Sequence, residues 1–409
     1  MVKTDELKKG VTTGSCVTAG VKAGLEALFN DNYEKNIQLQ ALNSEWINLE
    51  VLSLKESQDG VRVSVKKYSG DDPDVTNNIE ICVRVKFISH NLEKELCPED
   101  IEKGFLKENV FITGGRGVGI ATKAGLQVPI GKYAINPGPL KMINKIVNDF
   151  KESTILKNGD SNKKNNNEYI DFEKGYFIIK IFVPQGIKKS KLTLNSKLGV
   201  MGGISILGST GIVKPMSEDS LKASLYTEMK VIRESSNRDW VVFSFGNYGE
   251  KFCESIGIKK DMVVIISNYI GFMLEGAVKL GFKKVVLVGH IGKAVKIAGG
   301  IFNTHSKVAD ARLEIMGANA FLFNESNETI RKILDSNTVD EASKYIENKE
   351  FFNYLSEKVS SKSNDHVHKE LKCESLIFDF DGNILGYSKE FYTLINEILK
   401  QGDEINLQD

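Results

Sequence analysis

The chain has 409 residues, too many for one ordinary domain, and its 41% hydrophobic and 26% charged content is that of a globular protein able to bury a core. Lys+Arg and Asp+Glu both number 54, so the formal net charge is zero. That excludes a general attraction to nucleic acid or an anionic membrane, and any anion recognition must be local.

No window approaches the ~18 apolar residues of a membrane span. The start, MVKTDELKKG, lacks the apolar core of a secretion signal. Five scattered cysteines without a Cys-x-x-Cys pair read as free thiols, so a cytoplasmic protein is expected.

Thr12-Thr13-Gly14-Ser15 opens a helical pattern with Val17, Val21, Leu25 and Leu28 on one face. Strand-like runs follow at Trp46–Leu54, Val61–Val65, Ile79–Ile88 and Tyr176–Val183. Their period-two alternation, with Val61, Val63 and Val65 inward, predicts an α+β domain with a mainly antiparallel sheet solvated on one side. Lys157–Glu168, KNGDSNKKNNNE, is almost purely polar and is expected to be a flexible surface loop.

The second half changes character. Trp240–Phe245 reads as a buried strand ending in Gly246-Asn247-Tyr248-Gly249; a short helix with Phe252, Cys253 and Ile256 follows and stops at Gly257. Strands at Met262–Ser267 and Val285–Gly289 alternate with helices at Ile270–Leu280 and Lys293–Gly299. Gly257 and Gly281 are each followed by an apolar residue, two lysines and a strand, as repeated βα units would be. This predicts an α/β domain with a parallel sheet flanked by helices. Glu374–Phe380 is expected as an edge strand before an amphipathic helix bearing Phe391, Leu394, Ile395 and Ile398. Two domains are therefore expected, 1–200 and 201–409, with the boundary near 195–215.

Ligands of a parallel sheet bind beyond the carboxyl ends of its strands. Three such ends are Gly246–Gly249, Ser267-Asn268 and Gly289-His290-Ile291-Gly292-Lys293. Glycine there lets backbone N–H groups reach a ligand oxygen, although tight βα turns need glycine too. Gly114-Gly115-Arg116-Gly117-Val118-Gly119 superficially resembles a dinucleotide loop, but Gly125 and Pro129 come too soon for a crossover helix, and the nicotinamide reading is rejected. His290 and His305 are proton-transfer candidates, with hydrogen-bonded structural roles as the alternative. His366 and His368 form a His-x-His without a third ligand, so no protein-bound metal is expected. Asp71-Asp72-Pro73-Asp74 reads as a capped turn, with binding of a cation or of ribose hydroxyls as the alternative. Phe378-Asp379-Phe380-Asp381-Gly382 mimics a phosphotransferase loop but leaves no room for that domain.

Six stretches together resemble the CbiD family, the cobalt-precorrin-5B (C-1)-methyltransferases of oxygen-independent cobalamin synthesis. They are GVTTGSC (Gly10–Cys16), SGDDPDVTNN (Ser69–Asn78), FITGGRGVGIATKAGLQVPIGKYAINPGP (Phe111–Pro139), GVMGGISILGSTGIVKPMS (Gly199–Ser217), GNYGE (Gly246–Glu250) and VVLVGHIGKAVKIAGGIFNTHSKVADAR (Val285–Arg312). Ala124 and Gly138 depart from the family pattern, which has a proline and a larger residue there, and the last hundred residues match loosely.

The resemblance implies methyl transfer from S-adenosylmethionine to ring carbon 1 of a cobalt-containing tetrapyrrole, giving cobalt-precorrin-6A, with the cobalt belonging to the substrate. On that basis Gly246, Asn247, Gly249, Asn268, Gly289 and Gly292 are expected at the S-adenosylmethionine site. Thr12, Thr13, Gly14, Asp72, Arg116, Lys123 and Lys293 are the candidates for binding the macrocycle, the basic groups and the turn's N–H donors by way of its carboxylates. His290 or His305 would move a proton. A homo-oligomer and transient contacts with other corrin-pathway enzymes stay open. So do two other readings: a non-catalytic corrinoid carrier and a different precorrin-modifying enzyme.

Overall fold

A computed structural model describes residues 7–30, 33–158, 171–172, 174–236 and 238–404. The chain separates into two compact units, Met1–Ser217 and Glu218–Asp409, so the division falls just past the window expected from sequence.

In the first unit the helix Thr13–Asn30 buries Val17, Val21 and Leu25, and also Cys16, Ala19 and Ala23. It packs on a sheet and on a second helix, Pro137–Asn158. Gly20 and Gly24 set the closeness of that packing, because a Cβ at either would stand 2.7 or 2.6 Å from a methyl of Val83 or Val85. The sheet runs, in spatial order, Asn36–Gln40, Trp46–Ser57, Gly60–Lys66, Glu80–Ile88, Tyr176–Phe182, Val110–Gly114 and Phe105–Lys107. Every pairing is antiparallel except 176–182 with 110–114. Val61, Val63 and Val65 face the core as expected. The helix 137–158 was not legible as such: its Asn/Lys-rich sequence hides the buried Met142, Ile143 and Val147.

The glycine clusters pair with each other. Gly117–Val118 lies parallel to Gly203–Ile204, and Ile120–Ala121 antiparallel to Val200–Met201. Gly138 also has a reason to be small here, since a Cβ would come 2.3 Å from the Gly208 carbonyl oxygen. Of the Lys157–Glu168 run, the first two residues end the helix 137–158 and the rest lie outside the described residues.

In the second unit a five-stranded sheet has the order Val263–Ile265, Trp240–Ser244, Lys284–His290, Lys372–Phe378, Ile384–Tyr387. The first four are parallel and the last antiparallel. Alternate residues therefore feed two cores. Val241, Phe243, Val285 and Leu287 meet the helices Ile270–Lys279, Ile291–Ala298 and Glu350–His366 on one face. Trp240, Val242, Val286 and Val288 meet Asn247–Ser255 and Phe391–Glu404 on the other. One expectation is corrected: the segment around 374–380 is not the sheet edge. Its strand ends at Phe378 and is internal, with 384–387 paired outside it, because Asp379–Gly382 turns the chain back. Among the described residues no helix is long and apolar enough to cross a membrane.

Candidate functional site

A cavity of about 460 Å³ opens at the carboxyl ends of the parallel strands in the second unit. Gly246, Gly249, Asn268, His290, Gly292, Lys293 and His305 line it, whereas Asn247 and Gly289 do not. Gly289 is instead a packing position: a Cβ would stand 1.8 Å from Cδ2 of Phe245, whose ring fills the space. Gly246 is the reverse case, with nothing within 4 Å of an added Cβ.

His290 ends its strand and caps the helix Ile291–Ala298. Its Nδ1 accepts the Gly292 N–H at 3.1 Å, so the ring proton sits on Nε2, which donates to Asp340 Oδ1 at 2.9 Å. Asp340 Oδ1 also accepts the Phe380 N–H at 3.3 Å. The imidazole lies 4.0 Å from the Phe380 ring, which is 62% exposed and meets the exposed Tyr248 edge-on at 6.3 Å. His290 is thus held on both nitrogens. His305 is not: its Nδ1 accepts the Lys307 N–H, and Nε2 has no partner among the described residues.

Two lysines brace the walls. Lys293 Nζ donates to the Phe245 carbonyl at 2.7 Å and the Ser267 carbonyl at 3.2 Å, tying two neighbouring strand ends together. Burial, and then the like charge of Lys296, lower its pKa below the ordinary lysine value. Ser267, next to cavity-lining Asn268, holds φ at +56°, an uncommon backbone state for a residue with a side chain. Lys296 is buried and donates to the Thr304 and Ala309 carbonyls, and Thr304 bonds Asn268 through both backbone and side chain. The 299–311 loop is thereby fixed as one wall.

The other expected residues belong to the first unit, and most have structural partners. Thr12 N–H donates to the Gly211 carbonyl, Gly14 N–H to the Leu207 carbonyl, and Thr13 Oγ1 bonds Leu207 and Ser205. The helix N-terminus expected to receive carboxylates is therefore occupied by the 205–211 segment. Asp72 accepts the Met216 N–H, Asp71 the Lys8 N–H, and Asp74 pairs with buried Lys67, so the acidic run is a capped turn. Lys123 donates to the Lys197 carbonyl at 3.3 Å, and Arg116 is exposed. His366 stacks on Phe302 at 4.0 Å and lies 3.2 Å from Glu275; no cluster of three metal-ligating side chains exists among the described residues.

Sequence reasoning missed Phe245, Lys296, Arg312, Asp340 and Phe380 on the cavity. A lysine in the apolar run of the 291–298 helix was a signal for Lys296. Nothing local marks Asp340.

Family models match residues 1–215 as CbiD and residues 303–389 as the CbiD C-terminal domain. The second match falls where the resemblance read from sequence was loose. A Fusobacterium nucleatum protein named cobalt-precorrin-5B C(1)-methyltransferase is 46% identical over 392 residues, 96% of this chain and 98% of that one. Proteins of the same name from Thermosipho africanus and Clostridioides difficile are 40% and 38% identical, over 91% and 93% of this chain and 95% and 94% of their own lengths. A crystal structure of a cobalamin biosynthesis protein (CbiD) from Archaeoglobus fulgidus is 22% identical, covering 75% of this chain and 84% of that one with a TM-score of 0.36. With near-full-length identity to curated relatives and a family model spanning more than half of its residues, this chain belongs to the CbiD family.

Proposed function

We propose that this chain is a cobalt-precorrin-5B C(1)-methyltransferase of cobalamin biosynthesis, moving a methyl group from S-adenosylmethionine to ring carbon 1, with the donor held in the second unit's cavity. One observation carries the reading: GNYGE, HIGK and NTHS, segments from two of the stretches that mark the family resemblance, converge on that cavity at the carboxyl ends of parallel strands.

The residues present fit such a donor. A volume of about 460 Å³ lies in the range of small-ligand sites. Exposed Phe380 and Tyr248 offer aromatic faces to a purine, and open space over Gly246 lets a ligand approach the backbone. The sulfonium supplies an activated methyl and a good leaving group. What the chain supplies is alignment and exclusion of water. Lys293 and Lys296 hold the walls still, and Asp340 fixes the His290 ring. His305 Nε2 is the group with capacity left to exchange a proton. Arg116 and Lys123 stay candidates for the macrocycle's carboxylates; Lys293 could join them only by exchanging a carbonyl for a carboxylate. The cobalt arrives with the substrate.

Anaerobic incubation with cobalt-precorrin-5B and the donor, followed by mass spectrometry, is expected to give a product heavier by one methyl group. An unchanged macrocycle would end the reading. Calorimetry showing no donor binding would favour a corrinoid carrier.

A further inference from the structure

We propose that the first unit carries an amphiphilic cationic face, centred on the paired glycine segments, that binds a polycarboxylate tetrapyrrole. The nature of the ligand rests on the methyltransferase reading; the face itself does not.

The zero net charge conceals strong segregation. Between Asn109 and Asn148 the only charged residues are Arg116, Lys123, Lys132, Lys141 and Lys145. Between Lys174 and Ser217 they are seven lysines, again without one Asp or Glu; of these Lys174 and Lys180 are paired with Asp171 and Asp100 from outside the stretch. These acid-free stretches lie far apart in sequence, yet the strand pairs 117–118/203–204 and 120–121/200–201 join them. Further contacts tighten the junction. Val183 N–H donates to the Arg116 carbonyl at 3.0 Å, and Gly186 sits so close to Gly117 that a Cβ would stand 2.1 Å from its oxygen. The Lys123 stem lies over Gly199 and its Nζ reaches the Lys197 carbonyl.

Arg116, Lys188 and Lys191 are exposed and have no ion-pair partner among the described residues. Lys9, Lys332 and Lys372, also at the surface, are each paired with a glutamate. Like charges left together without counter-charges repel one another, an arrangement that a bound anion relieves. Interleaved with these cations are Ile187, Leu192, Leu194 and Met201, exposed by 45, 66, 49 and 51%. Scattered surface apolar residues are ordinary, but four within fifteen positions on a cationic face make it amphiphilic. A flat apolar ring rimmed with carboxylates complements both properties. A nucleic acid strand does so less well, because base stacking wants aromatic side chains and residues 183–216 contain none.

The test uses the full-length protein, with uroporphyrin, an octacarboxylate porphyrin, and coproporphyrin, its tetracarboxylate analogue, as fluorescent probes. Uroporphyrin should bind more tightly, and its affinity should fall with added salt. The exposed pair K188E/K191E, and separately R116Q, should weaken it, the double variant by about tenfold. Binding of S-adenosylhomocysteine should be unchanged in these variants. Affinities within about twofold of the parent, equal affinity for the two porphyrins, or displacement of uroporphyrin by single-stranded DNA at similar concentration would overturn the proposal. Loss of methyl transfer and of S-adenosylhomocysteine binding in the unaltered protein, with the porphyrin result intact, would instead overturn the methyltransferase reading and leave this face standing.

Discussion

Gly246 lines the cavity in open space whereas Gly289 packs against its Phe245 wall, and replacing each by alanine separates the two roles. At Gly289 the new Cβ would stand 1.8 Å from the Phe245 ring, against an ordinary contact of 3.4 Å or more, so the ring must retreat by about 1.6 Å. Phe245 is 3% exposed and packed in the core, so it has room only toward the cavity it lines. Overpacking of this kind costs about 1–3 kcal/mol, and G289A should lower the second unit's stability by that amount while narrowing the site. At Gly246 nothing lies within 4 Å, and φ of 173° is extended backbone open to any residue. G246A should therefore leave stability within about 0.5 kcal/mol of the parent, yet weaken donor binding roughly tenfold if a ligand rests on that backbone. The assay is urea unfolding followed by tryptophan fluorescence in a W46F background, which leaves buried Trp240, a strand residue of the second unit, as the reporter. Calorimetry with S-adenosylhomocysteine reads the binding. A G289A midpoint equal to the parent's would refute the packing argument, and undiminished binding in G246A would remove that turn from the site.

Asp340→Ala strips the acceptor from His290 Nε2 and the Phe380 N–H, at a cost of about 1–3 kcal/mol, and should lower turnover beyond the stability loss, with partial rescue in D340N; parent-like turnover in D340A would contradict a positioning role. Burial and then Lys296 hold Lys293 below its ordinary 10.5, so between that lowered value and 10.5 the unfolded chain binds the extra proton and stability rises with pH. K293M should flatten that alkaline rise in urea midpoints, and an identical slope would exclude the effect. Burial pushes the Cys16, Cys253 and Cys373 thiols up to about 12 and also raises Cys82, while Cys97 is exposed. Near neutral pH a thiol reagent should modify one cysteine quickly in the native chain and all five after denaturation; two fast thiols would show that the core opens.

Much of the architecture was legible because it is written locally. Alternation of Val61, Val63 and Val65 marks a half-buried strand, and the almost wholly apolar runs at 240–245 and 285–289 mark strands covered on both faces. Gly257 and Gly281 take φ of +87° and +77°, as helix-ending glycines do. The strand ends 246, 268 and 290 follow from these, since parallel strands place their carboxyl ends on one edge whatever their order.

Other features depend on pairing across long separations, which periodicity does not encode. Whether the 372–378 strand was internal depended on the turn at Asp379–Gly382 bringing 384–387 outside it. Thr12–Gly14 looks like an open anion site until the 205–211 segment takes its donors. Gly289 looks like a ligand turn until Phe245 occupies its missing side chain. The amino-acid order alone determined most of the element types and the family, because each rests on residues near in sequence or on long shared motifs. Which donors remain free, which glycines make room for a ligand rather than a neighbour, and that Asp340 meets His290 were decided only by tertiary packing. A hydrogen bond or a contact belongs to two residues, and only the folded chain says which two.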